Sequence, residues 1–298
     1  MVVMLEFKNK EQFKAFMRKE AARLNMSAPN TYHTFYSRLL LERISKEDNP
    51  NLLVKGSSAE MAYLGTLVRG ITDVDLAGIC DFNVNQEFVK KILLNNDGQQ
   101  FSFNLNKAPF RTPTGIIKYS TGITFDNMKQ DLSIDFQDNY NRLIEPEKRV
   151  VPTIFEGDEP FEINVPSFEE YLAEKLCIIV ESNKTDVLNT RLKDFYDIYQ
   201  LHGGKYDYEK LTCYFGIMLC LRNKIDINNA STLHLNQGFI EAHKHLWPSV
   251  SKRYDFFDKE IDLKGAVYYT RGVLREQLQK LGNIMPDNNN LTYKKKRV

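Results

Sequence analysis

Leu52-Leu53-Val54-Lys55-Gly56-Ser57-Ser58-Ala59, followed by Arg69 and then Thr72-Asp73-Val74-Asp75-Leu76, reads as a short apolar strand, a glycine turn and an acidic strand. A glycine at the end of a strand lets the backbone come close to a phosphate. The freed amides and the Ser57 hydroxyl can then hold its oxygens. On a strand, residues i and i+2 share a face, so Asp73 and Asp75 stand side by side while Val74 and Leu76 turn to the core. Two adjacent carboxylates repel unless a divalent cation lies between them. Mg2+ suits such a pair, because it binds one or two carboxylates and takes its other ligands from water and substrate phosphates. Each pattern alone also has a plain structural reading: an ordinary turn for Gly56-Ser57, a solvated strand face for Asp73 and Asp75.

Further along, Leu132-Ser133-Ile134-Asp135-Phe136 alternates apolar and polar, with Asp135 on the polar side. If this strand lies beside the Asp73–Asp75 strand, a third carboxylate joins the group, as a general base or a further metal ligand. Otherwise Asp135 is a half-exposed strand residue. Pro166-Ser167 followed by Glu170 is a capping box, which starts a helix carrying Lys175 in Glu174-Lys175-Leu176. A second helix, from about residue 190 to 201, contains Arg191-Leu192-Lys193-Asp194-Phe195-Tyr196-Asp197. Its charges fall at i,i+3 and i,i+4 spacing. They can form a surface ion-pair ladder, or Lys175 can neutralise a triphosphate while Arg191 and Asp194 shape the pocket.

The surrounding chain is that of an ordinary globular protein: 298 residues, 42% hydrophobic and 27% charged, which excludes wholesale disorder. With 40 Lys+Arg against 39 Asp+Glu the net charge is +1. A globally basic nucleic-acid binder is excluded, but a local basic patch is not. Arg271, Arg275 and Lys280 on an expected helix, and the Lys294–Arg297 run, are the candidates for one. No apolar run approaches the roughly 20 residues that span a bilayer, and the first residues do not read as a secretory signal. A cytoplasmic location is therefore the default expectation, with no membrane partner. Cys80, Cys177, Cys213 and Cys220 lack metal or disulfide spacing and are expected to be small buried residues. The stretch Cys213–Leu221 reads as a buried helix. His243-x-His245 is too isolated for a metal site.

Helical periodicity is expected through residues 13–21 and 32–44, with Pro29 breaking the pattern between them. Strands are expected at 52–54, 74–79, 115–119, 122–125 and 132–136. The polar segment Glu156–Pro160 is the best candidate boundary, and helix signals dominate beyond it. The expected organisation is an α/β domain with N-terminal helices over 1–160, a helical domain over 161–285, and a flexible basic tail over 286–298.

Taken together and in this order, Lys55-Gly56-Ser57-Ser58-Ala59, Arg69, Thr72-Asp73-Val74-Asp75-Leu76, Glu174-Lys175-Leu176 and Arg191-Leu192-Lys193-Asp194-Phe195-Tyr196-Asp197-Ile198 resemble the motifs of the AbiEii/AbiGii-type nucleotidyltransferase toxins. These belong to the polymerase-β-like superfamily. The resemblance spans about residues 50–201, and the later motif is its more specific part. It implies an α+β fold: a nucleotidyltransferase domain with a small mixed sheet, followed by a helical domain, with the active site in the cleft between them. It implies Mg2+-dependent transfer of a nucleotide from an NTP, with release of pyrophosphate, in a toxin–antitoxin or phage-defence (abortive infection) setting with a cognate antitoxin. Some relatives act on tRNA 3′ ends. By position, Gly56 and Ser57 bind the nucleotide phosphates with Arg69 and Arg191 in support. Asp73 and Asp75 hold the metal, with Asp135 as a third candidate ligand. Lys175 contacts the triphosphate, and Asp194 completes the site.

Two positions depart from the family pattern. Gly56-Ser57 stands where the family often has Gly-Gly, and Ile71 stands two residues before Asp73 where Ser or Thr is usual. Neither removes a metal ligand. A protein side chain or a small molecule as acceptor, or an inactive scaffold that binds NTP or RNA, are the alternatives to a tRNA transferase.

Overall fold

The computed structural model describes residues 5–79, 82–96, 98–138, 140, 145–182, 191–221, 232 and 234–284. The chain forms two compact units. The first takes the chain up to Phe168 together with Pro248–Glu260; the second takes Glu169–Trp247 and the chain from Ile261 onward.

The first unit opens with helices α1 (Lys10–Leu24) and α2 (Ala28–Glu47). Asn9 caps α1 by accepting from the Gln12 amide at 3.0 Å, and Asn25 ends it in the left-handed conformation. Pro29, which interrupts the helical pattern in the sequence, lies in the first turn of α2. A proline there costs no helical hydrogen bond, so it starts the second helix as well as ending the run before it. Phe7, Phe13, Phe35, Phe101 and Phe125 gather against these helices, with Phe13 and Phe101 centred 5.1 Å apart.

A six-stranded mixed sheet follows, in the order β1-β2-β6-β5-β3 with β4 also on β5. Its strands are β1 (Leu52–Val54), β2 (Val74–Gly78), β3 (Ser102–Leu105), β4 (Phe110–Arg111), β5 (Ile117–Phe125) and β6 (Met128–Gln137). Helix α3 (Gly56–Leu64) lies between β1 and β2, and α4 (Phe82–Leu94) follows β2. The β2–β6 pair is parallel; β1–β2, β5–β6 and β3–β5 are antiparallel. β5 and β6 form a long hairpin whose turn, Asp126-Asn127, has positive φ at both residues (41° and 63°). That is the turn geometry matching the twist of paired strands, and Asp and Asn tolerate it. The two strands expected at 115–119 and 122–125 are thus one strand. Gly122 lies within it, where a Cβ would come within 2.4 Å of Asn106 Oδ1.

A separate hairpin joins β7 (Glu147–Val151) to β8 (Phe161–Val165). The segment Glu156–Pro160 connects its two strands inside the first unit, which runs on to Phe168. Most of α9 (Trp247–Tyr254) packs in this unit too. The Tyr254 carbonyl accepts from the Gly70 amide at 2.8 Å, and Asn30 donates to the Arg253 carbonyl at 2.8 Å.

The second unit is helical: α5 (Phe168–Ser182), α6 (Leu192–Gln200), α7 (Tyr208–Leu221), α8 (Gln237–His243) and α10 (Leu263–Ile284). Helix α7 corrects two expectations. Its Leu211, Phe215 and Leu219 are buried, but Cys213, Ile217, Cys220 and Leu221 form an exposed face. The helix is therefore buried on one side only. Cys177 is buried as expected, whereas Cys213 and Cys220 are exposed. Cys80 and the tail over 286–298 lie outside the described residues. No described helix is long and apolar enough to cross a membrane.

Candidate active site

The carboxylates of the first unit are placed by the sheet. Val74 and Leu76 are 0% and 3% exposed, and Asp73 and Asp75 flank Val74 on the half-exposed side. Ile71, at the position where the family has Ser or Thr, is fully buried; its amide donates to Thr34 Oγ1 at 3.0 Å. The neighbouring Thr72 hydroxyl donates to Asp73 Oδ1 at 3.1 Å. β1 brings the glycine turn to Asp75: the Lys55 amide donates to the Asp75 carbonyl at 2.8 Å. Gly56 then turns with φ at +59°, and a Cβ on it would fall 1.9 Å from Asp75 Oδ2. Only glycine fits both demands. Asp75 thus sits against the first residue of α3, where the helix's leading amides and positive dipole end favour negative charge. Ser57 and Ser58 lie in the same turn and are 7% and 1% exposed.

Asp135 lies on β6 directly beside Asp75 in the parallel register. The adjacency that would make it a third carboxylate is therefore present. Its two oxygens, however, accept from Lys118 Nζ at 2.8 and 2.7 Å. Lys118 is its cross-strand partner on β5.

Other residues of this unit fall into place around the carboxylates. Lys55 is buried, its ammonium 3.1 Å from Gln137 Oε1 and 4.4 Å from the centre of the Tyr140 ring. His33 on α2 feels Asp73 and Asp131. Burial pushes its imidazole below the ordinary value against the pull of those two carboxylates, and its Nδ1 has no hydrogen-bond partner among the described residues. Arg69 is 3% exposed, donates to the Gly70 carbonyl at 3.3 Å, and lies over the Tyr254 ring. A cavity of about 380 Å³ elsewhere in this unit, walled by Leu39, Arg43, Phe101 and Phe103, holds none of the candidate residues.

In the second unit Lys175 of α5 and Asp194 and Asp197 of α6 are buried rather than arrayed as a surface ladder. Lys175 is 7% exposed, with Asp194 and Asp197 at 2% and 0%. Lys175 Nζ lies 2.8 Å from Asp197 Oδ2 and 3.5 Å from Asp194 Oδ1. Arg191, whose side chain is 48% exposed, donates from Nε to Asp194 Oδ2 at 2.6 Å. Asp194 therefore holds Lys175 on one oxygen and Arg191 on the other. Leu192, Phe195, Tyr196 and Ile198 are also fully buried, so α6 is enclosed around most of its circumference.

The model of the nucleotidyl transferase AbiEii toxin family, assigned to type IV toxin–antitoxin systems, matches residues 38–266. The chain belongs to this family. It is a nucleotidyltransferase toxin of a toxin–antitoxin system. No curated protein sequence matches it. Among solved structures, the AbiEii-family chain is similar to MenT4, a nucleotidyltransferase toxin of Mycobacterium tuberculosis, with 16% identity, a TM-score of 0.57, and coverage of 92% of this chain and 91% of that one. It is also similar to JHP933 from Helicobacter pylori, with 14% identity, a TM-score of 0.50, and coverage of 87% and 96%. At these identities the likeness shows the fold, which is the expected α+β nucleotidyltransferase fold with C-terminal helices.

The donors of this AbiEii-family chain fit magnesium. Asp73 and Asp75 supply hard carboxylate oxygens, and Gly56, lacking a Cβ, makes room for the Asp75 carboxylate against the start of α3. Among the described residues no group of three or more His, Cys, Asp or Glu could hold a metal. A two-carboxylate centre leaves the remaining positions to water and substrate phosphates, as magnesium sites in phosphoryl-transfer enzymes do. Lys55, Lys118, His33 and Asp197 were not singled out as site residues by the sequence. Of these, Lys118 had a usable signal. Counting back along the two strands from the Asp126-Asn127 turn pairs it with Asp135.

Proposed function

We propose that this nucleotidyltransferase moves NMP from an NTP to the 3′ end of tRNA, with Asp73 and Asp75 holding Mg2+. The observation that carries the reading is the contact between Gly56 and the Asp75 carboxylate, which puts the acid proposed to hold Mg2+ at the start of α3. Helix N-termini with a preceding glycine turn accept phosphate oxygens. Gly56 and Ser57 bind the nucleotide phosphates there. When bound, magnesium supplies Lewis-acid charge neutralisation to those phosphates. The acceptor hydroxyl attacks the α-phosphorus in line, and pyrophosphate leaves. Lys175, with Arg191 in support, offsets the charge that develops on the leaving group. Asp194 fixes the geometry of both cations by holding one on each oxygen.

An RNA acceptor is supported by one face of α10. Lys264, Tyr268 and Arg275 are exposed, and Arg271 is half-buried, at spacings that place them along one side of the helix. Lys280, by contrast, is paired with Glu276 at 3.0 Å. The reading also includes a cognate antitoxin as partner, which membership of the family implies. The test is incubation with each α-labelled NTP, Mg2+ and either total RNA or total protein. Label in RNA of tRNA size supports the reading, and label in protein alone replaces the acceptor.

A further inference from the structure

Three side chains form a row across the middle of the sheet. Asp75 on β2 is in register with Asp135 on β6, and Asp135 is in register with Lys118 on β5. Residues in register on neighbouring strands point to the same face, so the three charges stand side by side. Like charges opposite one another are destabilising. Here the second carboxylate is neutralised, because both oxygens of Asp135 lie within 2.8 Å of the Lys118 ammonium. The pair is set by the β-ladder and not by a flexible loop, since Lys118 is the direct cross-strand partner of Asp135 in the long β5–β6 hairpin. With both oxygens engaged by an ammonium, Asp135 is a weaker ligand for a second cation than a carboxylate without a counterion. This agrees with the absence, among the described residues, of any acidic trio able to hold one.

We propose that Lys118 stands in for a second divalent cation. It holds Asp135 as a fixed, neutralised neighbour of Asp75, so that the centre takes a single Mg2+ on Asp73 and Asp75. This rests on the nucleotidyltransferase reading of Asp73 and Asp75 given above. Lys118 is a positioning residue: it acts on the metal centre through Asp135. Its ammonium supplies, without dissociating, the positive charge that a second ion would bring to this part of the face.

The experiment counts ions directly. The full-length protein is equilibrated with Mn2+ and the α,β-methylene analogue of each common NTP, which cannot release pyrophosphate. Bound Mn2+ per bound nucleotide is then read by electron paramagnetic resonance and equilibrium dialysis. The wild type is expected to hold a single Mn2+ per nucleotide, and Lys118→Arg the same. Lys118→Met, which removes the ammonium and keeps the chain length, is expected to gain a second Mn2+. Lys118→Met combined with Asp135→Asn is expected to lose it again. Asp135→Asn alone is expected to keep the wild-type count, with Mn2+ affinity changed less than about tenfold.

A second Mn2+ in the wild type overturns the proposal. So does a folded Lys118→Met protein that stays at a single ion, or an Asp135→Asn protein that loses its ion. The Asp135→Asn arm decides the matter if Lys118→Met does not fold. Failure of the underlying reading has a different signature: no nucleotide-dependent Mn2+ in the wild type, or a count that Asp73→Asn does not lower. That result overturns both.

Discussion

Asp75 on β2 and Asp135 on β6 are direct partners in the parallel register of the two strands, yet they stand in different company. Asp75 sits against Gly56 at the start of α3, and Asp135 is held by Lys118. The sheet has brought two carboxylates together, and Lys118 engages both oxygens of the second. Asp75→Asn removes a proposed metal ligand and is therefore expected to lower nucleotide transfer by more than the roughly 10–100-fold that loss of an outer-shell partner of a metal costs. Asp135→Asn is expected to keep transfer within about tenfold of wild type. Single-turnover rates with labelled NTP measure the difference, and equal losses in the two variants contradict it.

Gly56 is the position where backbone and site make the same demand. Its φ of +59° disfavours any side chain, and a Cβ would strike Asp75 Oδ2. Gly56→Ala is expected to cost about 1–3 kcal/mol of stability for the left-handed conformation and the forced displacement. It is also expected to weaken NTP binding, because the carboxylate must move. Urea denaturation measures the first effect and nucleotide titration the second. Gly115, whose φ is +87° with open space where its Cβ would lie, serves as control. Gly115→Ala is expected to cost stability without affecting nucleotide binding.

The Lys175–Asp197 contact is buried on both sides. Removing one partner leaves the other charge without its closest counterion, which costs about 3–5 kcal/mol in buried pairs. Asp197→Ala is expected to destabilise the protein by that amount. Lys175→Met with Asp197→Leu, which removes both charges together, is expected to recover much of the stability loss, while removal of Lys175 abolishes transfer. Chemical denaturation of the two variants checks this. A double variant less stable than Asp197→Ala contradicts it.

His234 gives the acid side of the stability curve a specific shape. Burial pushes its imidazole from 6.5 down to about 4, and its Nε2 has no hydrogen-bond partner among the described residues. The unfolded chain takes up the proton near pH 6.5 and the folded one does not. Stability present above pH 6.5 is therefore lost as the pH falls towards 4, with no further loss from this group below that. His234→Gln is expected to flatten the decline in this window. Denaturation midpoints from pH 7 to 4 for both proteins test it, and parallel curves contradict it.

Much of the fold could be read from local pattern. The alternation of Leu132, Ile134 and Phe136 around Asp135 is the burial pattern of β6, and Leu52–Val54 ending at a glycine is β1 with the start of α3. The sequence does not carry through-space pairing in the same way. Nothing local states that residues 75 and 135 become parallel neighbours, because the strands are joined through a helix and a hairpin and no turn sets their register. β7 was hidden for another reason. Glu147-Lys148-Arg149 is a charged run, and only Val151 of this strand is fully buried. On α6, i,i+3 and i,i+4 spacing showed that the charges are neighbours, but not that they point inward at a lysine from another helix. The exposed cysteines of α7 reflect the same limit. A helix with apolar residues all round gives no sign of which face will be left uncovered.

The most direct test of the account is transfer by wild type and Asp73→Ala, side by side, with α-labelled NTP, Mg2+ and total RNA, after circular dichroism has shown both to be folded. The account predicts label in RNA of tRNA size with the wild type and none with the variant. Label transferred by folded Asp73→Ala would contradict it.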